Sequence, residues 1–371
     1  MPRSRLAGAE IFPSFASIKN PISRPFLYVL RALAALGYIL LLALLLFSPH
    51  TGLLLFWGVI IPLLPAGLVI APGLWRAVCP IALTNQTPRV LGISRGWRLP
   101  KGLADRAFPI AIGLFVLFVA LRRPLLNQDG QAVAVLLIAV MTMAFTGGLL
   151  FRGRSGWCGT FCPLGPLQRE YGHAPAILVP NTFCPTCVGC QSKCYDLSPQ
   201  ATLFDDIHDD DPRQAGQRRF FMSMMPGMIA GYFLQLDSSY GYPAWLAIYL
   251  ISVLASVGLY HFALSFLGTE PGRTASVFAA VALTLFYGLA EPTVHHSIEA
   301  LTGLALPAYA GLLLMGFGGI AAVLLLVNSF RLASRYDTAQ AAVARTPRSS
   351  SANISVSVRD EKTGRIFSAA R

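Results

Sequence analysis

Long apolar runs alternate with short polar connections along most of the chain. About twenty apolar residues cross the hydrocarbon core of a bilayer. Five runs meet that length clearly: 26–47, 52–71, 131–150, 243–267 and 306–328. Three weaker runs, 105–121, 220–236 and 275–290, are shorter or more polar. The pattern predicts an all-α polytopic membrane protein of about eight transmembrane helices. A membrane domain over 1–150 is interrupted by a loop at 72–107, and a polar, cysteine-rich segment follows at 151–219. A second membrane domain covers 220–330, and a polar tail covers 331–371.

Composition agrees with this reading. Hydrophobic residues make up 54% of the chain and charged residues only 12%, about half the charge of a soluble domain. The net charge of +12 does not point to nucleic acid, because the basic residues lie between apolar runs rather than on a polar domain. Arg76, Arg89, Arg95, Arg98, Lys101 and Arg106 occupy the first long loop. Arg152, Arg154, Arg169, Lys193, Arg213, Arg218 and Arg219 occupy the second. The opposite connections offer Arg122 and Arg123. The positive-inside rule then puts both long loops and both termini in the cytoplasm, in a multi-pass protein of the cytoplasmic (inner) membrane. The first apolar run has no small-residue cleavage site and reads as a retained span.

Cytoplasmic sidedness changes what the cysteines mean, because disulfides do not persist there. Four of the seven, Cys184, Cys187, Cys190 and Cys194, follow a C-x2-C-x2-C-x3-C spacing. Structural zinc normally takes two C-x2-C pairs separated by a longer loop. Three cysteines at successive two-residue gaps instead suit three corners of a [4Fe–4S] cubane, as in bacterial ferredoxins. The spacing favours iron–sulfur over zinc and predicts a small cytoplasmic ferredoxin-like loop domain over 151–219. Tyr195 stands where ferredoxins carry proline.

Two further stretches follow apolar runs. "WCGTFCPLGPLQ" supplies Cys158 and Cys162, and "LWRAVCPIALTN" supplies Cys79. Aligning Cys79-Pro80 on Cys162-Pro163 sets Trp75 opposite Cys158, as in a duplication whose first copy has one cysteine fewer. A C-x3-C-P element after a span, followed by a ferredoxin cassette, resembles the NapH/NosR-type membrane iron–sulfur proteins over roughly residues 30–200. The resemblance implies electron transfer between a membrane quinone or redox subunit and a cytoplasmic or fused ferredoxin-type carrier. The metal ligands expected are Cys184, Cys187, Cys190, Cys194, Cys158, Cys162 and Cys79, holding one or two [4Fe–4S] clusters. With one cluster, the cassette holds it and the other three cysteines are buried thiols. With two, Cys194 joins Cys79, Cys158 and Cys162, and the first cluster takes a non-cysteine ligand. A membrane redox sensor or assembly factor, and a zinc-stabilised scaffold, are the alternative readings.

Histidines complete the candidates. His261 lies inside a span, where an ionisable residue suggests function, beside Tyr260 as a hydrogen-bond partner. His50, His295 and His296 fall at the outer ends of spans, where a haem or quinone site is sterically allowed; solvation is the plainer reading. His173 and His208 are expected to be solvated, as is the acidic stretch 205–211. Small residues at 316–319 suit close helix packing. In the tail, residues 354–371 alternate as a hairpin with a break at 362–364. That hairpin is either a bare tail or the opening of a plant-type [2Fe–2S] ferredoxin domain.

Overall fold

A computed structural model describes residues 22–151, 156–177, 179, 212–234, 241–307, 309–345, 357–359 and 366–368. These residues are mostly helical. The helices are α1 (Arg24–Phe47), α2 (Pro49–Ile70), α3 (Pro72–Val78), α4 (Pro80–Val90), α5 (Lys101–Leu126) and α6 (Gly130–Leu150). They continue as α7 (Leu164–Tyr171), α8 (Pro212–Phe233), α9 (Gly241–Phe266), α10 (Pro271–Thr302) and α11 (Ala310–Arg345). Proline opens α2, α3, α4 and α10, positions where its missing N–H costs nothing and its fixed φ suits the first turn. Asp129 caps α6 by accepting from Gln131 N and Ala132 N at 2.8 and 3.1 Å. α10 stops at Gly303, whose φ of 69° is left-handed. The tail carries the expected hairpin: β1 (Ser357–Arg359) pairs antiparallel with β2 (Ile366–Ser368), Val358 opposite Phe367.

Among the described residues, seven helices are long and apolar enough to cross a membrane: α1, α2, α5, α6, α9, α10 and α11 up to Ser334. The expected span at 220–236 is also a helix, α8, but it falls outside that set. Its 22 residues include Arg213, Arg218 and Arg219. α8 can be less apolar because the protein, rather than lipid, covers it. Phe221, Met222, Met224, Met225 and Met228 are all buried in the main core. That core also takes Leu68 and Val69 of α2, Leu167 and Tyr171 of α7, Trp245 of α9, and Leu283 and Tyr287 of α10. The outer faces are apolar instead: Leu33, Leu36 and Ile39 on α1 and Leu254 on α9 are exposed, as lipid-facing side chains are.

Long-range contacts sort the helix ends into two groups. At one end lie the start of α1, where Arg31 donates to Ala77 O, and the end of α6, which receives Arg95 N and Trp97 N at Leu149 O and Leu150 O. α7 joins them, and the far part of α11 is tied there by Asn328 donating to Ala174 O. At the other end, Trp57 of α2 donates to Leu126 O, and Asn127 donates to Tyr232 OH near the end of α8. α8 therefore traverses the whole bundle, with Arg218 at the first end and Tyr232 at the second. Close packing uses glycine as expected at Gly318, where a methyl group would meet the Tyr287 side chain at 2.5 Å.

Candidate metal centre

Three of the seven cysteines fall among the described residues, and all sit at the first end of the bundle. Cys79 occupies the break between α3 and α4, where Pro80 cannot continue the preceding hydrogen bonding. Its N–H donates to Trp75 O at 2.9 Å, and its carbonyl accepts from Leu83 N at 3.0 Å. The second turn is built alike. Cys162 N–H donates to Trp157 O at 3.0 Å, and Cys162 O accepts from Gly165 N at 2.8 Å as α7 begins. In each turn a tryptophan carbonyl holds the cysteine that precedes a proline.

The two turns pack together. Ile81, just past Cys79, joins Trp157, Phe161, Cys158 and Cys162 in one apolar cluster against Val140 and Ala144 of α6. Arg76 Nε donates to Gln168 Oε1 across the turns at 3.0 Å. Cys79 and Cys162 lie near enough to influence each other's ionisation. Burial pushes the Cys162 thiol up to about 12, and Cys79 adds to the rise. The N–H groups of Leu164 and Gly165 and the Arg76 guanidinium pull it the other way. A thiol so buried needs a metal to ionise it, whereas the N–H groups and nearby cation suit a thiolate that has one. Among the described residues no three Cys, His, Asp or Glu side chains converge as a metal-holding group.

One indole nitrogen supports the fit to a sulfur-rich group. Trp157, 3% exposed, buries an Nε1–H that has no hydrogen-bond partner among the described residues. Leaving such a donor unsatisfied costs about 1–3 kcal/mol. The donor set around Cys162 therefore fits a thiolate-bound cluster. Cys184, Cys187, Cys190, Cys194 and His208 lie outside the described residues, as does the acidic stretch 205–211. The chain leading to the cassette is placed, however. Ala176 N and Ile177 N donate to Val69 O and Ile70 O. Gly73, two residues into α3, has room for no side chain because the Val179 carbonyl lies against it. The end of α2 and the start of α3 thus hold Ala176, Ile177 and Val179.

The histidines separate into different environments. His261 is exposed on the outer face of α9, while the Tyr260 hydroxyl donates to Pro271 O. His50 and His296 are exposed, and His295 is half-buried between Glu291 and Glu299, with ring nitrogens 3.4 and 3.3 Å from their carboxylates. These outer histidines occupy the end opposite the cysteines.

His173 corrects an expectation. It is buried rather than solvated, and its Nε2 meets Ser329 Oγ of α11 at 2.8 Å. Burial lowers its pKa to about 4. Glu170, also buried, has its carboxyl pushed up to about 7 by burial, against the pull of Arg218 and Arg169. The apolar spacing of Leu164, Leu167 and Tyr171 marks one face of α7 as buried. That spacing was the available signal that Glu170 on the same short helix would be covered too.

Residues 132–173 match a 4Fe-4S binding domain. The match takes in α6, the Cys158–Cys162 turn and α7, and it ends before the cassette. It supports an iron–sulfur cluster in this chain. No curated protein and no solved structure matches the chain.

Proposed function

We propose that the chain is a multi-pass electron-transfer protein of the cytoplasmic membrane. It would pass electrons through [4Fe–4S] clusters between a membrane quinone or redox subunit and a cytoplasmic or fused ferredoxin-type carrier. One observation carries this reading: the 4Fe-4S match falls on the turn that packs with Ile81, two residues past Cys79, and it ends just before the residues that lead to the cassette. A [4Fe–4S] cluster stores and releases single electrons.

In this reading Cys79, Cys158, Cys162 and Cys194 hold one cluster. Cys184, Cys187 and Cys190 hold a second with a non-cysteine fourth ligand, since seven cysteines cannot supply four thiolates to each of two clusters. Chain length allows this arrangement. Cys184 lies five residues beyond Val179, a stretch that spans at most about 18 Å. The N–H groups of Leu164 and Gly165 favour a Cys162 thiolate, Trp157 holds the turn, and the surrounding apolar side chains exclude water.

α8 would be the eighth crossing, shielded from lipid by its neighbours, which brings the start of α1 and the end of α11 to the same face. Its 22 residues give about 33 Å of helix, enough to span. Arg76, Arg89, Arg169, Arg218 and Arg219 cluster at the cysteine end, and the positive-inside rule makes that face cytoplasmic. Two measurements test the proposal. A quinol analogue should reduce the anaerobically purified clusters reversibly, and clusters that only degrade under oxidant would favour a sensor instead. A reporter fused after Ser198 should register the cytoplasm; a periplasmic signal would overturn the topology.

A further inference from the structure

Trp157 has a feature that apolar packing alone does not explain. It is almost fully buried in the cluster that contains Cys158 and Cys162, yet its indole N–H has no partner among the described residues. Its carbonyl is heavily used, accepting from Thr160 N, Phe161 N and Cys162 N. The backbone of Trp157 thus fixes the cysteine turn while its side chain carries a spare donor within the same packed group. A phenylalanine would fill the apolar role without burying that donor.

Trp75 provides an internal control. Its Nε1–H is likewise buried without a partner among the described residues, and its carbonyl likewise holds the cysteine of its turn. Its ring, however, packs against the main core, not in the cluster of Cys158 and Cys162.

We infer that Trp157 is a positioning and tuning residue whose Nε1–H donates to a sulfur of the cluster held at Cys158 and Cys162, and so raises its reduction potential. The inference rests on the proposed iron–sulfur reading of this turn. Hydrogen bonds to cluster sulfurs are one of the protein's means of setting potential. A donor favours the reduced cluster because reduction adds negative charge to the acceptor. Trp75 makes no such contact, since its ring faces another core.

The test is a paramagnetic-resonance redox titration of anaerobically purified protein. It compares wild type, Trp157→Phe, Trp75→Phe, and Trp157 replaced by the isosteric benzothienyl-alanine, which keeps the ring shape and lacks the N–H. The signal to follow is the one abolished in Cys162→Ser. Loss of the N–H at position 157 should make that cluster roughly tenfold harder to reduce at a fixed potential, a midpoint about 59 mV lower for a one-electron couple. Trp75→Phe should leave it unmoved. An unchanged midpoint in the isosteric variant overturns the inference while leaving the cluster reading intact. Equal shifts from Trp75→Phe and Trp157→Phe overturn it too, because they would mark a general packing effect. If Cys162→Ser removes neither iron nor signal, the iron–sulfur reading of the turn fails, and this inference with it.

Discussion

The two cysteine turns share a plan but differ in what they carry. Each sets a cysteine before a proline at the start of a helix, and each ties that cysteine's N–H to a tryptophan carbonyl. The second turn adds Cys158, where the first has Trp75. Its helix carries Glu170, with His173 just beyond it, where the aligned positions of the first carry Thr87 and Val90. The stretch leading into the first turn makes a different contact: Val69, Ile70 and Gly73 pack against Ala176, Ile177 and Val179, which precede the cassette. The difference teaches a division of labour in which one turn carries two cysteines and the stretch before the other positions the chain that follows α7. A backbone plan can thus recur while side chains specialise.

The steric contacts of the turns offer the largest effects. A methyl at Gly73 would run into the Val179 carbonyl, and one at Gly156 into the backbone of Gly147. Gly73→Ala and Gly156→Ala should each destabilise the purified protein by about 1–3 kcal/mol, as overpacking does. Gly165, at the start of α7, has open space where its side chain would be. Gly165→Ala should cost nothing and, as a helix substitution, gain up to about 1 kcal/mol. Thermal unfolding in detergent measures all three; a harmless Gly73→Ala would break the claim that the start of α3 holds the chain at Val179.

Titration sharpens the contrast next, since buried Glu170 lies on the second turn's helix and buried His173 just beyond it. Folded Glu170 keeps its proton up to about 7, against 4.5 for the ordinary carboxyl. Its contribution to stability therefore falls as pH rises across that window. His173 acts oppositely: folded, it lacks a proton that the unfolded chain takes up below 6.5, so its contribution grows as pH rises from about 4 to 6.5. In wild type the two slopes oppose each other. Glu170→Gln should leave stability rising with pH between about 4 and 6.5, and His173→Asn should leave it falling between 4.5 and about 7. Identical pH profiles for the two variants would contradict the assignment.

The smallest effect concerns the link between the turns. Gln168→Ala removes the acceptor of Arg76 Nε and should cost about 0.5–1.5 kcal/mol. A loss well above that would mean the turns depend on this one bond rather than on their shared apolar packing.

Much of this organisation was legible in the sequence because it depends on local pattern. Apolar length marked the spans, and the offset that aligns Cys79-Pro80 with Cys162-Pro163 anticipated two similar turns that the fold brings together. The alternation in 354–371 anticipated the pairing of β1 with β2. What stayed hidden depends on partners distant in the chain. His173 is buried by Ser329 of α11, and Glu170 by packing that includes Arg218 of α8, neither of which local polarity reveals. α8 itself reads as a weak span because its apolarity is low, yet the fold covers it from every side that its core residues face. His261 drew attention as an ionisable residue within a span, and only the orientation of α9 shows that it lies on the outer face.

The central claim is that the two turns serve one cluster. It is tested most directly by comparing iron content and paramagnetic signals of wild type, Cys79→Ser and Cys162→Ser, all purified anaerobically. Two clusters would give about eight irons per wild-type chain. Each substitution should remove about half of that iron, and both should abolish the same signal while sparing the other. Iron near four per chain in wild type, unchanged by Cys79→Ser, would contradict the claim and leave the cassette as the sole cluster site.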